Sequence, residues 1–216
     1  LLPSIHLPSS SEILTYLRIN GAQYRSMITD TITYLNNAIK NNKCILVEGA
    51  QATLLDIDFG VYPYCTATTC TVGGVVSGLG IPPTMIGNIY YVMKTYCTRV
   101  GNGPFPTELA PPNPIGIQLQ EIGHEYGTTT GRRRRCGWLD IPMVKWSLMV
   151  NGIPNGRLCI TKLDVLDTFE EIKLGVGYYI RNAETGIRTP LTAFPASLEL
   201  LGNVEVEYEI FPGWLD

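Results

Sequence analysis

The chain has 216 residues, 45% of them hydrophobic, with sixteen Lys+Arg against nineteen Asp+Glu and a net charge of −3. That composition suits one soluble globular domain with a sizeable core, or two small ones. No stretch approaches the roughly 18 apolar residues of a membrane span, and the start, "LLPSIHLPSSSE", carries neither basic segment nor cleavage signature, so no signal peptide is expected. The six cysteines, Cys44, Cys65, Cys70, Cys97, Cys136 and Cys159, form no C-x-x-C pair. Several sit in apolar runs, so they are expected to be buried, reduced thiols of an intracellular protein rather than zinc ligands.

In chain order, residues 9–42 read as helical. Ser9 with Glu12 fits a capping box, and Met27, Ile28, Ile32, Leu35 and Ile39 recur at helical spacing, with Gly21 expected to separate two helices. "KCILVEGAQ" reads as a short buried strand running into a turn, and "TVGGVVSGLGIPP" as a glycine-rich connection closed by two prolines. "YYVMKTYCTRVGNGPFPTE" begins as a strand and turns at Gly101 and Gly103. "LDIPMVKWSLMVNG" predicts a helix capped by Asp140, with Pro142 in its first turn and Gly152 just past its end. "RLCITKLDVLD" is a further apolar strand, and the last third reads as strands joined by turns.

This alternation predicts an α/β fold, a mostly parallel central sheet flanked by helices with a smaller strand-rich C-terminal part, forming one partial domain over 1–216. Ligands gather at the carboxyl ends of strands in such sheets. Residues 49–51, 101–103 and 162–164 all fall there.

The densest chemistry is "GTTTGRRRRCGWLD" at 127–140. Four consecutive arginines stand in an acidic chain; without them twelve basic residues face nineteen acidic. Focal charge suits one anionic small molecule better than a nucleic-acid polymer, which needs basic residues spread over a face. In an extended segment Arg132 and Arg134 share one face and Arg133 and Arg135 the other. Two guanidinium forks on one face can hold a carboxylate and a phosphate, leaving the other two to pair with acidic residues of the fold. "ITKLDVLD" places Lys162 and Asp164 after a strand, an arrangement resembling the guanine-reading element of GTP-binding proteins with Thr161 in place of its asparagine. One carboxylate accepts from both guanine N1–H and the 2-amino group. In "EGAQATLLDIDFG", Gln51 sets a primary amide at the sheet edge, while Asp56 and Asp58 look like structural carboxylates more than a metal pair. His6 lies near the terminus, and His124 is a general acid by type but has no visible partner. No phosphate loop with its lysine is present in the run 73–80.

Together "LVEGAQATLLDIDFGVYPYCT", "GGVVSGLGIPP", "TRVGNGPFPTE", "GHEYGTTTGRRRRCGWLD", "TKLDVLD" and "VEYEIFPGW" closely resemble the middle and later parts of the adenylosuccinate synthetase family. The resemblance runs from about residue 30 to the end and is densest over 48–167. It implies a GTP- and magnesium-dependent ligase that joins IMP to aspartate in purine biosynthesis, a cytoplasmic homodimer without nucleic-acid or membrane partners. It implies IMP contacts from Gln51, Thr66, Val100 and Arg132. Aspartate contacts fall on Thr128, Thr129, Thr130, Gly131, Arg132 and Arg134, and GTP contacts on Arg134, Lys162, Leu163 and Asp164. The family's catalytic acid and base and its phosphate loop belong to an N-terminal segment that this chain does not match, and a C-terminal segment completes the guanine pocket. No catalytic residue and no magnesium ligand is therefore expected in this chain, and it is expected to be inactive alone. The rival readings are a non-catalytic purine-nucleotide-binding module of the same fold and a nucleic-acid binder using the arginine block.

Overall fold

The structure, a computed structural model, describes residues 7–127, 131–152 and 157–214. Helix α1 (Ser10–Tyr24) starts as expected: the Ser9 hydroxyl accepts from the Glu12 amide at 3.3 Å, and the Glu12 carboxylate accepts from the Ser9 amide at 2.7 Å. Gly21 lies inside this helix and does not end it; the chain breaks instead at the tight turn Arg25–Met27. Helix α2 (Thr31–Lys40) is capped by Asp30, whose carboxylate accepts from the Thr33 amide. Neither helix has a buried residue.

Two expectations are corrected. Residues 43–50 form no strand, and Leu46 is exposed. Backbone pairing needs a neighbour, and none lies beside this run among the described residues. The glycine-rich connection contains helix α3 (Gly73–Leu79), ended by Gly80 at φ +63°, where the left-handed conformation suits glycine. A Cβ there would press on Ile32, and Asn36 of α2 donates to the Gly80 carbonyl at 3.0 Å, so packing against α2 holds a helix that composition disfavours.

Strand β1 (Tyr90–Lys94) pairs in parallel with β4 (Arg157–Thr161), Tyr90 opposite Arg157 and Lys94 opposite Thr161. The second sheet runs β2 (Tyr96–Arg99), β3 (Arg135–Asp140), β5 (Glu171–Arg181) and β6 (Arg188–Pro190), with β7 (Glu205–Pro212) also on β5. β3 and β5 are parallel; the C-terminal strands pair antiparallel. The class is mixed α/β, as predicted.

Helix α4 (Pro114–Ile122) packs on β3 with Leu119 fully buried. Helix α5 (Ile141–Val150) follows β3 directly, capped by Asp140 with Pro142 in its first turn, as the sequence predicts. A short α6 (Leu198–Gly202) precedes β7. The main core gathers Tyr96, Leu119, Cys136, Trp138, Val165, Leu166, Phe169 and Ile172, with Trp138 edge-on to Phe169 at 6.0 Å. All six cysteines are free, but only Cys136 is buried; Cys44 and Cys159 are exposed, Cys44 in the unpaired run 43–50 and Cys159 on the exposed strand β4.

Candidate functional site

Several of the residues singled out in the sequence are joined by a series of contacts. It begins at Gln51, whose backbone sits at φ +59°. Gln51 Oε1 accepts from the Thr68 hydroxyl at 3.2 Å, with Cys70 Sγ at 3.7 Å. The loop between them is organised by Asp56, which is 0% exposed. Its Oδ1 accepts from the amides of Asp58 (2.9 Å) and Phe59 (3.1 Å), and its Oδ2 from Cys70 (2.7 Å) and Thr71 (3.3 Å). Burial works against the charge, but these four N–H donors outweigh it and hold the carboxyl below its ordinary range. Thr66 rides on this loop, half-buried, its amide donating to the Leu55 carbonyl at 2.7 Å.

Arg99, at the end of β2, ties this loop to the next. Its Nη2 donates to the Tyr64 carbonyl at 3.1 Å and its Nε to the Asn102 carbonyl at 2.9 Å. Val100 stands between, 51% exposed. Gly101 and Gly103 both have positive φ, and Gly103 has no room for a Cβ beside Tyr64. Arg135 closes the loop from the other side, Nη1 donating to the carbonyls of Gly101 (3.1 Å) and Gly103 (2.8 Å), while Nε and Nη2 form a fork on Glu108.

The arginine block divides largely as its alternation predicts. Arg135 pairs with Glu108 and Arg133 with Glu121 (3.5 Å), so both serve the fold. Arg132 is exposed, and Gly131 has φ +64° with nothing among the described residues within 4 Å of an added Cβ. Thr128, Thr129 and Thr130 lie outside the described residues, as does His6. Arg134 differs from expectation: it is half-buried, and its Nη1 donates to Glu125 Oε2 at 2.8 Å.

Glu125 is the residue sequence reasoning missed. It is 1% exposed, and its Oε1 accepts from Lys94 Nζ and from the Tyr96 hydroxyl, each at 2.6 Å. Burial opposes its charge, but Lys94, Tyr96 and Arg134 together hold it below the ordinary carboxylate range. Burial first, then Glu125, drives the Tyr96 phenol far upward. One signal existed: the acidic residues shortly before the block, Glu108, Glu121 and Glu125, are the ones its arginines take.

Two residues before Glu125, the Gly123 carbonyl accepts from Lys162 Nζ at 3.0 Å. Lys162 follows β4 at φ +63°, and its own carbonyl accepts from the Thr95 hydroxyl at 2.8 Å. Leu163 and Asp164 are exposed on the 3-10 turn Leu163–Leu166. Leu163 also lines an apolar cleft of about 320 Å³ with Ile160, Leu174, Phe211 and Trp214. Of the four non-glycine residues at positive φ among the described residues, three (Gln51, His124 and Lys162) lie on this network. Such conformations persist only where the surroundings enforce them. His124 is exposed, with no side-chain hydrogen bond among the described residues, so it gains no catalytic partner.

No group of three or more His, Cys, Asp or Glu able to hold a metal occurs among the described residues. Asp56 has its oxygens filled by backbone donors, so it is structural, as the sequence suggests, and does not fit a cation with Asp58. No helix among the described residues is long and apolar enough to cross a membrane.

Comparison with known proteins gives one consistent match. The family model described as adenylosuccinate synthetase matches residues 4–216. The chain is 50% identical over 214 residues to the adenylosuccinate synthetases of Drosophila sechellia and Drosophila melanogaster, covering 99% of this chain and 46% of each relative. It thus spans about half the length of the curated relatives it matches. Among solved structures, it is similar to the fully ligated adenylosuccinate synthetase of Plasmodium falciparum, with TM-score 0.88 and 44% identity over 98% of this chain and 48% of that one. A cyanophage S-2L succinoaminodeoxyadenylate synthetase shares the fold, with TM-score 0.50 and 24% identity over 64% of this chain and 42% of that one.

Proposed function

The chain belongs to the adenylosuccinate synthetase family, and we propose that it forms the substrate-recognising half of a ligase that joins IMP to aspartate with GTP, on the route to AMP. The observation that carries this reading is the turn 123–125. It ties the guanine-reading lysine, through the Gly123 carbonyl, to the arginine block, through Glu125.

The reaction moves the GTP γ-phosphoryl group to the 6-oxygen of IMP, turning a poor leaving group into a good one, and the aspartate amine then displaces phosphate. The site must therefore hold several anions at once, and focal positive charge offsets their repulsion. Gln51 supports the 6-oxygen: its Oε1 is engaged by Thr68, which leaves Nε2 to donate. Thr66 holds the IMP phosphate, and the Val100 backbone meets the ribose. The loop of Thr128, Thr129, Thr130 and Gly131 with Arg132 binds the aspartate carboxylate, and Arg132 also reaches IMP. Arg134 bridges aspartate and GTP. The Lys162 stem and Leu163 cover the guanine, and the Asp164 carboxylate accepts from N1–H and the 2-amino group.

Magnesium, when bound, supplies charge neutralisation at the transferred phosphoryl group. The described carboxylates do not fit it, and its ligands, the phosphate loop and the catalytic acid and base are assigned to the remainder of the full-length protein. The working enzyme is proposed to be a cytoplasmic homodimer.

The test uses a full-length protein carrying this chain, with adenylosuccinate formation followed by absorbance. Arg132→Lys exchanges a planar fork for a point donor. Losing one charge-assisted bond, about 1.5–3 kcal/mol, should raise the KM for aspartate roughly tenfold or more. Unchanged aspartate dependence would remove Arg132 from the carboxylate, and absence of turnover by the unmodified full-length protein would overturn the proposed activity.

A further inference from the structure

We propose that Glu125 is a positioning residue that aims the Arg134 guanidinium, and that the turn 123–125 fixes the spacing between that guanidinium and the guanine-reading lysine. The proposal rests on the assignment of Arg134 and Lys162 to GTP.

Glu125 holds Arg134 at two points. Its carbonyl accepts from the Arg134 amide at 2.9 Å, and its Oε2 accepts from Arg134 Nη1 at 2.8 Å. Anchoring Nη1 to a buried carboxylate while the backbone amide is also held restricts how the planar fork can swing. Nε and Nη2 of Arg134 have no partner among the described residues, so part of the fork remains for a ligand.

The two carboxylate oxygens are divided. Oε1 serves Lys94 and Tyr96, from β1 and β2, while Oε2 serves Arg134. A carboxylate present only to balance buried charge needs no such division. The turn itself has little freedom. A Cβ on Gly123 would lie 2.6 Å from the Leu119 carbonyl oxygen and 3.2 Å from Glu125 Cγ, and His124 is held at φ +50°. The Lys162 bond to the Gly123 carbonyl and the Glu125 bond to Arg134 are therefore separated by a rigid three-residue step.

Two measurements on a full-length protein carrying this chain test this. Nitrogen-15 NMR of the arginine side chains reads guanidinium rotation at Arg134 and needs no ligand. Calorimetry with GTP and with guanosine reads the share of affinity due to the phosphates. In the unmodified chain the Arg134 guanidinium should rotate slowly, and in Glu125→Gln as freely as that of the exposed Arg25. The preference for GTP over guanosine should fall about tenfold, as expected for one misdirected charge-assisted bond, with guanosine affinity unchanged. Glu125→Asp, which keeps the charge on a shorter stem, should restore part of the preference.

A freely rotating Arg134 in the unmodified chain overturns the proposal, as does equal weakening of GTP and guanosine in Glu125→Gln. A rigid Arg134 freed by Glu125→Gln, in a chain that prefers GTP no more than guanosine, sustains the aiming and refutes the assignment of Arg134 to the triphosphate. If Glu125→Gln does not fold, Arg134→Lys is read instead. It keeps the charge but not the fork, and an undiminished GTP preference there overturns the proposal.

Discussion

Replacing Asp56 by Asn removes a single charge and almost no volume, yet it should be among the more damaging changes in the chain. The carboxylate accepts four backbone N–H groups, two on each oxygen, and is 0% exposed. An asparagine offers one oxygen and one NH2. In either orientation two amides face a donor: Cys70 and Thr71 in one, Asp58 and Phe59 in the other. Each unsatisfied buried group costs about 1–3 kcal/mol, so two cost ~2–6 kcal/mol, and water cannot reach in to relieve them. For a chain of this size each kcal/mol lowers Tm by about 2–4 °C, which places the expected loss near 10 °C. Urea unfolding followed by circular dichroism measures the free energy, and limited proteolysis within 57–71 reports whether the loop carrying Thr66 loosens first. A loss below about 1 kcal/mol with an unchanged cleavage pattern would show that Asp56 does not hold this loop.

Two further outcomes follow from burial elsewhere. Gly123→Ala meets the Leu119 carbonyl oxygen and the Tyr96 hydroxyl, so it should cost about 1–3 kcal/mol in denaturant unfolding; a cost under about 0.5 kcal/mol would mean the turn yields easily. Asp140 is buried at the start of α5, and burial, partly offset by hydrogen bonds from the Tyr178 hydroxyl and the Met143 amide, pushes its carboxyl from 3.8 up to about 6. The folded state then binds the proton more tightly than the unfolded state, so this contribution is greatest below pH ~4 and falls as pH rises to ~6, by up to ~3 kcal/mol. The stability of the unmodified chain relative to Asp140→Asn should therefore increase as pH is lowered from 6 to 4, and a difference independent of pH would contradict it.

Features set by neighbours in sequence were legible. The Ser9–Glu12 capping box and the Asp140 cap each depend on residues three apart, and both form. The alternation of the arginines correctly assigned Arg133 and Arg135 to the fold. Features set by tertiary cover were not. "KCILV" has a strand's composition, but pairing needs a neighbour that the described residues do not supply. The glycine-rich α3 is fixed by Ile32 and Asn36 of another helix. Glu125 was hidden for the same reason: its partners come from β1, β2 and the far side of a turn, and nothing in "GHEYG" announces a buried carboxylate. The place of Lys162 and Asp164 just past the end of β4 was legible too, because an apolar strand followed by polar residues is a local pattern.

The most direct test of the central claim, that this chain reads GTP and IMP for a ligase, is the nucleotide preference of Asp164→Asn in a full-length protein carrying the chain. Xanthine replaces guanine's 2-amino donor with a carbonyl acceptor. An asparagine amide can donate to that oxygen while still accepting from N1–H. Each mismatched bond costs about 1–3 kcal/mol, so the ratio of kcat/KM for xanthosine triphosphate over GTP should rise by one to a few powers of ten. If Asp164 only supports the turn Leu163–Leu166, both nucleotides are used worse in equal proportion, and that unchanged ratio would contradict the account.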